Sequence, residues 1–149
     1  MKGLILPVEP KGHLHNFYSY TCRIDMAAIG WTGDPTRMRD AILMALKAEG
    51  VPVSVWQRFI LPAMTVFRAK NAYGRGCPWS CNGAGDGVVY EPADFPVAQK
   101  HADTHVSMTT ALRAPNGPDV AEKIGEAYAK VFANIQAIDP DRILADAES

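Results

Sequence analysis

No stretch of eighteen or more apolar residues occurs in the 149-residue chain, so nothing in it reads as a membrane-spanning helix. No block of like charge occurs either. Fifteen Lys and Arg stand against sixteen Asp and Glu, a formal net charge of −1, and the two signs alternate along the chain. Nucleic-acid and membrane-surface binders need a basic excess to pair with phosphates, so the expectation is no nucleic acid and no membrane. Cysteine is scarce. Cys22, Cys77 and Cys81 are an odd number and make a poor disulfide framework. The apolar part of Met1-Lys2-Gly3-Leu4-Ile5-Leu6-Pro7 is too short for a signal-peptide core and is broken by Pro7 and Pro10, which makes a cytoplasmic location the default. Internal repeats and low-complexity stretches are missing as well.

What is present has the length of one domain, and residues 1–149 are read as a single one. With 48% apolar residues it can bury a core. Residues 1–16 read as an extended arm, with His13 and His15 near its end. Residues 17–25 alternate and are rich in aromatic and β-branched types, which predicts a strand with Tyr18, Tyr20, Cys22 and Ile24 on one face. Asp34-Pro35 is a helix start, because the carboxylate accepts from free N–H groups and proline suits the first position. Met38, Ile42, Ala45 and Leu46 then share a face, and Gly50 stops the helix. Residues 51–57 read as a second strand with Pro52 near its start. Residues 58–93 form a long loop of active-site type, with a turn or two of helix over 65–71. Residues 95–105 predict a short helix capped by Asp94, with Val97, His101 and Thr104 on one face, and 106–110 a third short strand. Pro118 opens the last helix. Its stripe of Val120, Ile124, Ala127, Tyr128, Val131, Ile135 and Ile138 is core, Pro140 ends it, and 141–149 is a frayed tail or one more turn. The order β-α-β-loop-α-β-α predicts an α+β fold, a small two- to three-stranded sheet packed against helices on one face.

Several phrases stand out in this frame: His15-Asn16-Phe17-Tyr18-Ser19-Tyr20, Met38-Arg39-Asp40-Ala41-Ile42, the run from Leu46 to Val53, the segment from Gln57 to Phe67 with Pro62, and Ala98-Gln99-Lys100. Together with the order of elements they resemble the C-terminal small domain of the DegT/DnrJ/EryC1/StrS sugar aminotransferases, fold-type-I enzymes dependent on pyridoxal phosphate. The resemblance covers nearly the whole chain. It implies a domain that walls the substrate cleft for a keto sugar or cyclitol in a ping-pong amino transfer. It also implies a partner, the large domain or subunit that binds pyridoxal phosphate, and a homodimer of the complete enzyme. There are two departures. Val55-Trp56-Gln57-Arg58 stands where the family commonly runs into a histidine-bearing segment, and the insert around Cys77-Pro78-Trp79-Ser80-Cys81 looks like a subgroup feature.

In this chemistry a lysine holds the cofactor as a Schiff base and an aspartate pairs with its ring nitrogen. None of Lys2, Lys11, Lys47, Lys70, Lys100, Lys123 and Lys130 sits in anything like the family's Schiff-base motif. The chain is therefore expected to be inactive alone, a fragment or one half of a split enzyme, with no catalytic or cofactor-binding residue assigned to it and an exposed apolar patch where the large domain docks.

The expected substrate contacts are Asn16, Trp56, Gln57, Arg58, Tyr73, Arg75 and Trp79. A Trp-Gln pair at a strand end stacks on a sugar ring and bonds its hydroxyls; the plainer reading is Trp56 in the core and Arg58 in solvent. Gly74-Arg75-Gly76 lacks phosphate-loop spacing and reads as a hinge over the cleft or as a plain surface loop. Asn16 is taken from its family position. Cys77, Cys81, His101 and His105 are the ligand types of a zinc site, although the nineteen residues between the two pairs exceed finger spacing. The rival functions are accordingly a non-catalytic module binding a small ligand or partner, and a small zinc protein.

Overall fold

Alternation between residues 20 and 24 builds the centre of the sheet. The computed structural model describes residues 1–74, 76–81 and 87–148. In chain order its elements are β1 (Leu4–Ile5), β2 (Tyr20–Ile24), α1 (Pro35–Ala48), α2 (Thr65–Ala69), α3 (Pro96–Thr104), β3 (His105–Met108), α4 (Pro118–Ala133) and α5 (Pro140–Glu148). The strands form one antiparallel sheet in the order β1-β2-β3, with Leu4 opposite Ile24, Cys22 opposite Val106 and Thr21 opposite Ser107. Cys22, Ile24, Val106 and Met108 are buried against Met38, Ile42, Leu43 and Leu46 of α1 and Ile124, Tyr128, Val131 and Phe132 of α4. The fold is thus α+β, a three-stranded antiparallel sheet packed against helices α1 and α4.

The expected single domain divides into two compact units. Met1–Trp56 with Thr104–Ser149 makes the first, and Gln57–Asp103 the second. The first unit owes α1 to its two ends. Asp34 Oδ1 accepts from the Thr36 N–H and hydroxyl, each at 2.8 Å, and these bonds, the hydroxyl's first, hold its carboxyl below the usual range. At the far end Gly50 adopts φ +83°. Gly50 N–H then reaches Lys47 O at 2.9 Å and Val51 N–H reaches Leu46 O at 3.0 Å, which closes the last carbonyls.

Three elements differ from the sequence reading. The expected second strand, 51–57, contributes only a bridge between Ser54 and Ser107. Pro52 has no N–H, and Val53 N–H closes on Val51 O at 2.8 Å, so a local turn consumes the donor a ladder needs. The side-chain alternation survives, with Val51 and Val53 buried. The extended arm is not wholly outside the sheet, since residues 4–5 pair as β1. The tail is not frayed, because Pro140 starts a helix. Asp139 Oδ1 accepts from the N–H groups of Asp141 and Arg142 at 3.0 and 3.3 Å, the arrangement seen at Asp34. The resulting α5 packs on α1, and Arg37 pairs with Asp141 on the surface. The apolar stripe on α4 is core as expected, but the helix ends at Ala133 and a 3-10 turn, Ile135–Ala137, carries it on.

The second unit contains α2, most of α3 and two 3-10 turns, Leu61–Ala63 and Pro92–Asp94. Its buried apolar residues, among those described, are Ile60, Trp79 and Ala102. Of the face expected on α3, Thr104 is buried, but Val97 is 83% exposed and His101 is exposed, and Ala102 is buried in their place.

Candidate functional site

Strand alternation turns Thr21 and Arg23 of β2 away from the helix-covered core, and Ser107 pairs with Thr21 there. Thr21 Oγ1 lies 2.9 Å from Ser107 Oγ and 3.1 Å from Ser19 Oγ, a chain of three hydroxyls across the sheet. Ser107 is buried, while Ser19 and Thr21 are half-buried. Each hydroxyl both donates and accepts, so the chain can reorient to suit a polar guest.

The lead-in to β2 is strained. Phe17 sits at φ 47°, a left-handed conformation costly for an aromatic residue. Two neighbours hold it: Phe17 N–H donates to His15 Nδ1 at 2.8 Å, and Tyr18 N–H donates to Asn16 Oδ1 at 3.1 Å. The His15 and Phe17 rings stack with centroids 4.4 Å apart, and Tyr20 lies 5.6 Å beyond Phe17. Arg113 donates from Nη2 to Tyr18 O at 2.9 Å and places its guanidinium 4.8 Å from the centre of the Tyr18 ring. Tyr18 remains 63% exposed. Flat apolar rings beside a fixed cation and a line of hydroxyls suit a hydroxylated ring, whose faces are partly apolar and whose edge donates and accepts.

The expected contact residues fall in both units. Asn16 and Trp56 belong to the first; Asn16 has its amide oxygen committed to the backbone, and Trp56 is exposed rather than core. Gln57, Arg58, Tyr73 and Trp79 belong to the second, where Gln57 is half-buried and Arg58 and Tyr73 are exposed. Arg75 lies outside the described residues. Trp79 is buried, and its Nε1 donates to Tyr90 Oη at 2.8 Å. Phe67 and Tyr90 meet its ring edge-on at 6.0 and 6.1 Å. It is thus a core residue whose single donor is already used.

Cys77 and Cys81 are joined in a disulfide, which corrects the expectation drawn from the odd cysteine count. The third thiol, Cys22, is buried and free, and burial pushes its pKa up to about 11. As a disulfide the other two have no thiolate to offer a metal. Among the described residues no group of three or more His, Cys, Asp or Glu is placed to hold one. His105 is buried in β3, and His101 lies exposed on α3.

The lysines do not fit pyridoxal phosphate. Six are exposed and Lys70 is half-buried, so none is an amine enclosed in an apolar pocket. A shallow depression of about 300 Å³ beside Ile29 and Phe132 contains none of the expected residues, and its Gln136 already donates to Ile29 O. Ser19, Thr21, Ser107 and Arg113 are not among the contacts expected from the sequence. The outward phase of the 17–25 alternation includes the first two, whereas nothing local marks Arg113 as a partner of Tyr18. No protein-family model matches the chain, and no curated protein is significantly similar to it. Among the described residues no helix is long and apolar enough to cross a membrane.

Proposed function

We propose that this chain is the substrate-cleft domain of a cytoplasmic, pyridoxal-phosphate-dependent aminotransferase acting on a keto sugar or cyclitol. In this reading it works with a large domain or subunit that carries the Schiff-base lysine, and the complete enzyme is a homodimer. The observation that carries the reading is the Ser19-Thr21-Ser107 hydroxyl chain on β2 and β3, with an aromatic and guanidinium patch at the lead-in to β2. The ordered likeness of the sequence phrases to the aminotransferase domain supports it, as does the agreement in fold class. Exposed apolar side chains on the arm, Val8 at 80% and Leu14 at 93%, are in keeping with a docking partner.

The cofactor's chemistry, carrying an amino group on its carbonyl carbon, belongs to the partner. This chain's residues bind and orient. The Tyr18 face and the Arg113 guanidinium position the ring of the acceptor, and the hydroxyl chain bonds its edge.

Two measurements test the reading. Incubation of the purified chain with pyridoxal phosphate and borohydride is expected to leave no stoichiometric phosphopyridoxyl-lysine, and one such adduct at a single lysine would overturn the division of labour. Titration of the isotope-labelled chain with glucosamine and with myo-inositol is expected to shift backbone amide signals within 15–21 and 105–108. Saturation with no shift in either segment removes the sugar assignment.

A further inference from the structure

The second unit holds a cluster that amino transfer does not use. Residues 77–81 close a small ring through the Cys77–Cys81 disulfide. Trp79, at the middle of that ring, is the largest of the unit's described buried apolar side chains, the others being Ile60 and Ala102. Its indole N–H is held by Tyr90, and Phe67 and Tyr90 pack edge-on against it. The core of Gln57–Asp103 therefore depends on one tryptophan whose backbone is pinned on both sides by one S–S bond. So small a ring restricts the unfolded chain far less than a long loop does, which makes the effect of the bond chiefly local. Cys81 is exposed and Cys77 half-buried, so a thiolate has access to the pair from solvent. Where glutathione keeps thiols reduced, disulfides in folded proteins are mostly transient or redox-sensing rather than structural.

We propose that Cys77 and Cys81 form a reversible thiol–disulfide exchange site for a dithiol reductant, and that its redox state sets how firmly Trp79 is held in the core of the second unit. A thiolate of the reductant attacks Cys81 Sγ, the S–S bond breaks, and Cys77 departs as a thiolate that takes a proton from water. The second thiolate of the reductant then attacks the mixed disulfide. Cys81 leaves and is protonated, and the reductant, two electrons poorer, becomes a disulfide. Glutathione disulfide reverses the sequence. The inference stands on the ring and the aromatic cluster and does not depend on the aminotransferase reading.

The test uses the full 149-residue chain, with dithiothreitol as reductant and glutathione disulfide as oxidant. Alkylation after denaturation is expected to label Cys22 alone in the oxidised protein and all three cysteines after reduction. Hydrogen exchange of amides within 57–103 is expected to rise at least tenfold on reduction, with β2, β3 and α1 unchanged. Emission from Trp79, isolated by Trp31→Phe and Trp56→Phe, is expected to shift to the red, and glutathione disulfide to restore every signal. A Cys77→Ser, Cys81→Ser variant is expected to exchange fast with or without reductant; if it fails to fold, the arms on the native chain carry the test alone. Three alkylatable cysteines after treatment with glutathione disulfide would overturn the proposal. So would exchange and emission indifferent to reduction, or exchange that rises equally in both units, which would mark the bond as a general staple.

Discussion

Replacing Tyr128 by phenylalanine is expected to stabilise the first unit. The ring is buried, 3% exposed, and stacks on Phe132 with centroids 6.4 Å apart. Its Oη is enclosed without a hydrogen-bond partner among the described residues. A buried hydroxyl with no partner costs about 1–3 kcal/mol of lost hydration, whereas Tyr128→Phe keeps the ring and its contacts. Allowing for a small gap where the oxygen was, the gain works out at about 1 kcal/mol. For a unit of this size that raises the thermal midpoint by roughly 4–8 °C and the urea midpoint by roughly half a molar at unchanged slope. Circular dichroism through a urea series on wild type and variant measures it. Tyr128→Ala is the control and is expected to lose about 3–5 kcal/mol, since it removes the ring itself. The same burial, followed by the nearby Cys22 and Tyr20, pushes the phenol above its ordinary pKa. The absorbance of its phenolate should thus emerge only as the unit unfolds in alkali. A destabilised Tyr128→Phe protein would show that the hydroxyl is hydrogen-bonded in solution, and the reasoning would fail.

The Cys22 thiol, moved from about 9 to about 11 by burial, stays neutral in the folded chain while the unfolded chain ionises. Its contribution is therefore intact below pH 9 and lost as pH climbs towards 11, on the order of 2 kcal/mol. Urea midpoints at pH 8 and pH 11 should fall further apart in wild type than in Cys22→Ala, and equal falls would refute the attribution. Asp34→Ala removes both bonds to Thr36 and is expected to cost about 1 kcal/mol. Asp141→Asn breaks an exposed ion pair and is expected to cost well under 1 kcal/mol. If the order of these two losses in thermal melts is reversed, the cap has been overvalued.

Strand β2 and helix α1 were legible because each carried more than one signal, alternation with aromatic and β-branched types in the first. Between residues 20 and 24, alternation put Cys22 and Ile24 on one face, and both are buried. For α1, the cap at Asp34, the 3-4 spacing of Met38, Ile42 and Leu46, and the stop at Gly50 agree with one another. Single signals misled. The valines at 51, 53 and 55 alternate like a strand, but Pro52 and the turn it sets divert the backbone donors, a fact of hydrogen bonding rather than hydropathy. Pro140 read as a terminator because it followed an apolar stripe, although Asp139 before it repeats the Asp34 signature. The disulfide was hidden by counting. Three cysteines suggest no framework until one of them is seen to be buried in the core. At the candidate site, the contacts from Arg113 to Tyr18 and from Thr21 to Ser107 join residues 95 and 86 positions apart, beyond the reach of any local pattern.

That last separation has a consequence for how the molecule is made. The middle strand gains its partner on one side only from residues 105–108, and everything between Gln57 and Asp103 is spelled out before them. During synthesis β2 must wait, with one edge unpaired, for some eighty residues, roughly 4–16 s at ordinary translation speeds. The inserted unit has that interval to itself, so the smaller body can be complete before the larger one closes its sheet.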